Sequence, residues 1–221
     1  MNRSQLEHII RAATAVTNTY DLVIVGSQSL LGAVPNPPPA CAISMEADVF
    51  PMDAEELSDD IDGAIGEFSD FHETHGIYAQ GVDSTTSVLP DGWRNRLVRI
   101  QNENTGGRAG WCLDPTDLFL AKCAANREKD RDFNVELLRH SIVKSQDALE
   151  RVPFMPIDDS ARDRVRSLIG RLILASTPKP PMLGSSVLSC PIPAPCVSAD
   201  SPETPSSHAP CLGAPTRPRP E

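Results

Sequence analysis

Asp21-Leu-Val-Ile-Val-Gly26-Ser27 and, after a proline-rich gap, Ser44-Met-Glu46-Ala-Asp48-Val-Phe50 decide how this chain is read. The first segment is an apolar run closed by a small-residue turn, which predicts a strand. Ser27-Gln-Ser-Leu-Leu-Gly32 then predicts a turn and a short helical run, whose first backbone N–H groups can hold a phosphate. Pro35-Asn-Pro-Pro-Pro39 suits neither a helix nor a central strand, so it is expected as a surface excursion. In the second segment Glu46 and Asp48 stand two apart on a strand and therefore share a face. Adjacent carboxylates repel each other unless a cation or a shared proton lies between them. A phosphate cradle beside a carboxylate pair is the minimum equipment for metal-assisted phosphoryl or nucleotidyl transfer.

Composition sets the bounds. The chain has 221 residues, a net charge of −10 and a pI of about 4.9. An acidic surface does not suit nonspecific binding to a phosphate backbone, which leaves a local basic patch as the route to any nucleic acid. No run approaches the roughly eighteen apolar residues of a membrane helix. Met1–His8 lacks the apolar core of a signal peptide, so a cytoplasmic protein without membrane contact is expected. The cysteines at 41, 112, 123, 190, 196 and 211 form no C-x-x-C pair, which argues against a zinc site or a disulfide framework.

Working outward, Ser4-Gln-Leu-Glu7 fits a capping box for a first helix near 4–17. Residues 53–73 carry nine Asp and Glu and no Lys or Arg, while Leu57, Ile61, Ile65 and Phe68 keep helical spacing. That pattern predicts one amphipathic helix with a solvated acidic face, or one acid set aside as a third ligand or base. His72 and His75 are three apart, but Gly76 ends their helix, so they are read as lining the cleft rather than holding zinc. Short strands follow over 77–113, at Ile77–Ala79, Thr86–Leu89, Leu97–Ile100 and Gly110–Leu113. Their brief connections predict antiparallel pairing. Asp114-Pro115 starts a helical half, with further helices near 131–142, 145–151 and 158–175. Twelve of the 21 prolines fall between 178 and 220, a composition that predicts a disordered tail. The expected organisation is α+β: a core over 1–113, a helical part over 114–176 packed on it, and a tail over 177–221.

The second cluster is Lys122-Cys-Ala-Ala-Asn-Arg127-Glu-Lys129-Asp130. Lys122 follows Leu118 and Ala121 onto an apolar face, where an unpaired ammonium is costly and an anion such as a triphosphate is a natural partner. With both clusters in view, the chain resembles the polymerase-beta-like nucleotidyltransferase superfamily. Gly26-Ser27 followed by Glu46-Ala-Asp48 is similar to its Gly-Ser … acid-x-acid signature. Lys122 … Arg127-Glu-Lys129-Asp130 is similar to the Lys … Arg-x-Lys-Asp motif of the bacterial branch near the AbiEii and MenT-type toxins. The likeness covers about residues 20–145.

The resemblance implies a nucleotidyltransferase fold, a mixed sheet flanked by helices. It also implies that Gly26 and Ser27 hold the phosphates of an NTP, that Glu46 and Asp48 ligate Mg²⁺, and that Lys122 contacts the triphosphate. Asp130, Arg127 and Lys129 complete the polar cluster. The implied reaction moves NMP to an acceptor hydroxyl on RNA or protein, with an antitoxin as a possible partner. The chain departs from the pattern in having Glu at position 46 and a long Ser27–Glu46 gap. No third strand carboxylate is evident beyond Glu67 and Glu103, which leaves a catalytically silent nucleotide- or partner-binding regulator as the alternative.

Overall fold

A computed structural model describes residues 1–177 as part of one compact unit. The proline-rich tail expected to be disordered, with Cys190, Cys196 and Cys211, lies outside the described residues. Helix α1 (Arg3–Val16) opens the chain. Its capping box is Asn2 with Gln5 rather than Ser4 with Glu7. Asn2 Oδ1 accepts from the Gln5 N–H at 2.9 Å, and Gln5 Oε1 accepts from the Asn2 N–H at 2.8 Å. Glu7 is instead buried, accepting from Arg3, Asn102 and Asn104, which ties α1 to a distant turn. Asn2→Ala should lower stability by about 1 kcal/mol in urea unfolding, and Ser4→Ala by much less.

Five strands form one sheet: β1 (Asp21–Val25), β2 (Glu46–Pro51), β3 (Tyr78–Gly81), β4 (Val98–Ile100) and β5 (Ala109–Cys112). Their order is β3-β2-β1-β5-β4. The antiparallel expectation for 77–113 holds only for β4 with β5; β3 runs parallel to β2, and β5 parallel to β1. The reason is connectivity. The chain leaves β2, crosses through α3 (Ser58–Ile65) and α4 (Asp70–His75), and re-enters the sheet in the same direction, as a helical crossover requires. Thr86–Leu89 is loop rather than strand.

Helices α3 and α4 also replace the single helix expected over 53–73. The break lies at Gly66–Ser69, where a side chain on Gly66 would strike the Asp62 carbonyl at 2.3 Å and Phe68 adopts φ 64°. Ser69 then caps α4 by accepting from the His72 N–H. Early in the chain, α2 (Leu30–Ala33) is the expected short helical run. After the sheet come α5 (Pro115–Ala125), α6 (Glu128–Arg139), α7 (Ser145–Arg151) and α8 (Asp159–Ser176). The structure is thus a mixed α+β fold, a five-stranded mixed sheet flanked by helices, as a nucleotidyltransferase fold requires. Among the described residues no helix is long and apolar enough to cross a membrane.

Both faces of β1 are buried. Leu22 and Ile24 share one core with Leu6, Ile9 and Ile10 of α1 and Ile61 of α3, while Val23 and Val25 share the other with Leu118 and Phe119 of α5 and Leu137 of α6. A strand covered on both sides reads as an unbroken apolar run, which is why β1 stands out in the sequence. Asp117 on α5 is fully buried and accepts from both Arg96 and Arg151, which fastens the 90–96 loop and α7 to the start of α5. Cys41, Cys112 and Cys123 are free and buried. Burial pushes the Cys123 thiol up to about 12, so it behaves as an inert packing group.

Candidate active site

The chain leaves β1 through Gly26, at φ 63°, and enters a one-turn 3-10 segment, Ser27–Ser29. Val25 pairs with Asp48 across the antiparallel ladder, so the acid lies beside this turn. The contact is close: a Cβ on Gly26 would lie 2.0 Å from Asp48 Oδ2. Left-handed backbone and absent side chain are therefore both needed at Gly26. Ser29 Oγ donates to the Gly26 carbonyl at 2.7 Å and holds the turn.

Helix α5 supplies Lys122 from the other side. Its Nζ donates to Ser27 Oγ at 2.9 Å and to Asp130 Oδ1 at 2.9 Å, and it lies 4.4 Å from the centre of the Phe133 ring. Asn126, in the left-handed conformation, ends α5 and lets α6 fold back so that Asp130 faces Lys122. Arg127 Nε donates to Asp130 Oδ2 at 2.6 Å. Burial lowers the Lys122 pKa, with Arg127 and Lys129 adding to the effect and Asp130 opposing it. Burial also works against the Asp130 carboxylate, but hydrogen bonds from Arg127 and Lys122 hold it below its ordinary range. Lys129 is exposed on α6 and forms no ion pair among the described residues.

Glu46 and Asp48 are side by side on β2. Burial, followed by the hydrogen bond and charge of Glu46, pushes Asp48 up to about 7, while Lys122 and Arg127 act in the opposite direction. This is the signature of a carboxylate pair short of positive charge. Strand β3 places Tyr78 opposite Glu46 and Gln80 opposite Asp48. The Tyr78 hydroxyl donates to Glu46 Oε2 at 3.0 Å, and burial together with Glu46 pushes the phenol up to about 12. The bond restrains the longer Glu side chain.

Gly26, Ser27, Glu46, Asp48, Lys122, Arg127 and Asp130 thus converge on one end of the sheet, with Lys129 at its edge. Glu103 does not join them: it sits in the β4–β5 turn at the opposite end. Glu67 comes near enough to act on Tyr78, but β3 itself presents a phenol and an amide where a third carboxylate would stand. His72 packs against Tyr78 with ring centres 4.7 Å apart, whereas His75 meets His8 and Phe71. Tyr78 is the site residue the sequence reading passed over. The period-two alternation that pairs Glu46 with Asp48 also pairs Tyr78 with Gln80, but the parallel register had to be known to bring the two pairs together.

Among the described residues no group of three His, Cys, Asp or Glu side chains could cage a metal. Two carboxylates fit Mg²⁺ nonetheless, because that ion is commonly held by one or two carboxylates and completes its shell with water and substrate phosphates. No curated protein and no solved structure gives a significant match to the chain. A family model described as "Nucleotidyltransferase of unknown function (DUF6036)" matches residues 4–153, most of the chain, and the protein belongs to that family.

Proposed function

We propose that the protein is a Mg²⁺-dependent nucleotidyltransferase that moves NMP from an NTP to an acceptor hydroxyl. The observation carrying this reading is Lys122, a buried ammonium that bridges Ser27 and Asp130 on the same side of the sheet end as the Glu46–Asp48 pair. Ser27 and Lys122 are suited to the β- and γ-phosphates, with Arg127 and Lys129 assisting from α6. Glu46 and Asp48 would hold Mg²⁺, which when bound supplies charge to the phosphate oxygens. The acceptor oxygen bonds to the α-phosphorus as the bond to the bridging oxygen breaks, pyrophosphate leaves, and the hydroxyl proton passes to water. Positioning and fixed charge supply the rate.

The test is incubation with each α-labelled NTP, Mg²⁺ and cell extract, comparing wild type with Asp48→Ala. Transfer that survives the substitution sinks the metal assignment. A second reading, nucleotide binding without transfer, draws on Tyr78 and Gln80 at the place of a third carboxylate. NTP binding with no transfer from any NTP would select it. The toxin role implied by the resemblance would show as growth arrest on induction, relieved by co-expression of an antitoxin. Gly26→Ala should misplace Asp48 by about an ångström and slow transfer about 10²-fold; the strained backbone should also lower the melting temperature, so circular dichroism below the transition shows that the variant is folded in the assay.

A further inference from the structure

The two flanks of the acid pair differ in chemistry. On one, Lys122 reaches Ser27, with Arg127 and Lys129 behind it on α6. On the other, past Glu46, the rings of Tyr78, His72 and Phe68 follow one another, with centres 4.7 Å and then 6.4 Å apart. Phe68 is 81% exposed, so its ring gains little from packing. Its backbone is in the left-handed region that bulky residues rarely adopt, and its N–H donates to His72 Nδ1 at 3.1 Å. An aromatic ring held out into solvent beside a reaction centre is a surface for a ligand.

Displacement at phosphorus is in line, so the attacking group enters opposite the leaving group. With the triphosphate tail on the Lys122 side, the acceptor enters over Glu46 from the Tyr78 side. Charge then decides what the acceptor is. Between Arg11 and Arg94 the chain carries fourteen Asp and Glu and no Lys or Arg. Strands β2 and β3 and helices α3 and α4 all lie within that stretch. Glu67, Asp70 and Glu73 are exposed beside the ring series. A polynucleotide needs Lys and Arg along its phosphates, and β2, β3, α3 and α4 carry only imidazoles, with Arg11 of α1 beside His8 on the His75 side of α4. An organic cation gains from the ring faces and from the surrounding carboxylates.

We propose that Phe68, His72 and Tyr78 form the acceptor subsite and that the acceptor is a hydroxyl-bearing organic cation. The inference rests on the transfer reading above. The full chain, with Mg²⁺ and a non-hydrolysable NTP analogue, is titrated with choline and separately with a uridine decamer, following the aromatic ring signals by NMR. Choline should shift the Phe68, His72 and Tyr78 signals. Phe68→Ala should weaken its binding roughly three- to tenfold, and Phe68→Trp should retain it. Choline binding indifferent to Phe68→Ala, or decamer binding that is sensitive to it, overturns the proposal. Analogue affinity is read in the same samples with Lys122→Met as control. If that affinity is absent in wild type the transfer reading fails, while the choline titration still decides whether the ring series binds a cation.

Discussion

Asp48→Asn should give a protein that has lost nucleotide transfer yet is more stable than wild type at pH 8. The loss follows from removing half of the carboxylate pair. On the proposed transfer reading, metal charge on the reacting phosphate would contribute several kcal/mol, so transfer should fall by roughly 10³-fold or more. The gain in stability follows from the position of the carboxyl, buried and beside Glu46, which pushes Asp48 up to about 7 from an ordinary 3.8. The folded carboxyl therefore binds its proton more tightly than the unfolded one. Between about pH 4 and 7 the native state keeps a proton that the unfolded state has released, so metal-free stability falls as pH rises through that window. An amide carries no charge and escapes the fall. In urea unfolding with EDTA, Asp48→Asn should match wild type near pH 4 and exceed it by up to about 4 kcal/mol at pH 8. Mg²⁺ should narrow the gap by stabilising wild type alone. A gap that does not grow with pH would show that Asp48 ionises freely in the fold.

How much of this was legible in the sequence depends on whether the cause is local. Strand β1 was legible because burial on both faces leaves a continuous apolar run. The Glu46–Asp48 pair was legible because alternation along a strand needs no knowledge of neighbours. Lys122 could be singled out as a cation on an apolar face, and its partner Asp130 lies eight residues on, across a single turn. Long-range causes were hidden. Nothing local says that the chain crosses through α3 and α4 before β3, so the parallel pairing that brings Tyr78 to Glu46 could not be read. Helical spacing continues through Gly66 and Phe68, although the backbone breaks there. At the N-terminus, Asn2 with Gln5 and Ser4 with Glu7 both satisfy the capping pattern. The choice between them is made by Asn102 and Asn104, which draw Glu7 into a buried network.

The buried pair behind the phosphate side separates stability from function, because its two members are not equivalent. Asp130 is fully buried and accepts from both Lys122 and Arg127, so Asp130→Ala leaves the buried Lys122 ammonium with the Ser27 hydroxyl as its one remaining hydrogen-bond partner among the described residues. Breaking a buried pair from one side typically costs about 3–5 kcal/mol, and chemical denaturation should show a loss of that order. Lys122→Met should behave differently. Arg127 still satisfies Asp130, and a thioether of similar length can lie against the Phe133 ring where the ammonium now sits. Its stability should stay within about 1.5 kcal/mol of wild type, because Arg127 keeps the Asp130 carboxylate paired and the methionine fills the space of the lysine stem. Nucleotide affinity should nonetheless fall about tenfold or more, because a charged hydrogen bond to phosphate is gone. Equilibrium unfolding and fluorescent-nucleotide titration on the two variants give the comparison. If Lys122→Met is as unstable as Asp130→Ala and binds nucleotide normally once folded, the lysine is a structural cation and the phosphate side of the site must lie elsewhere.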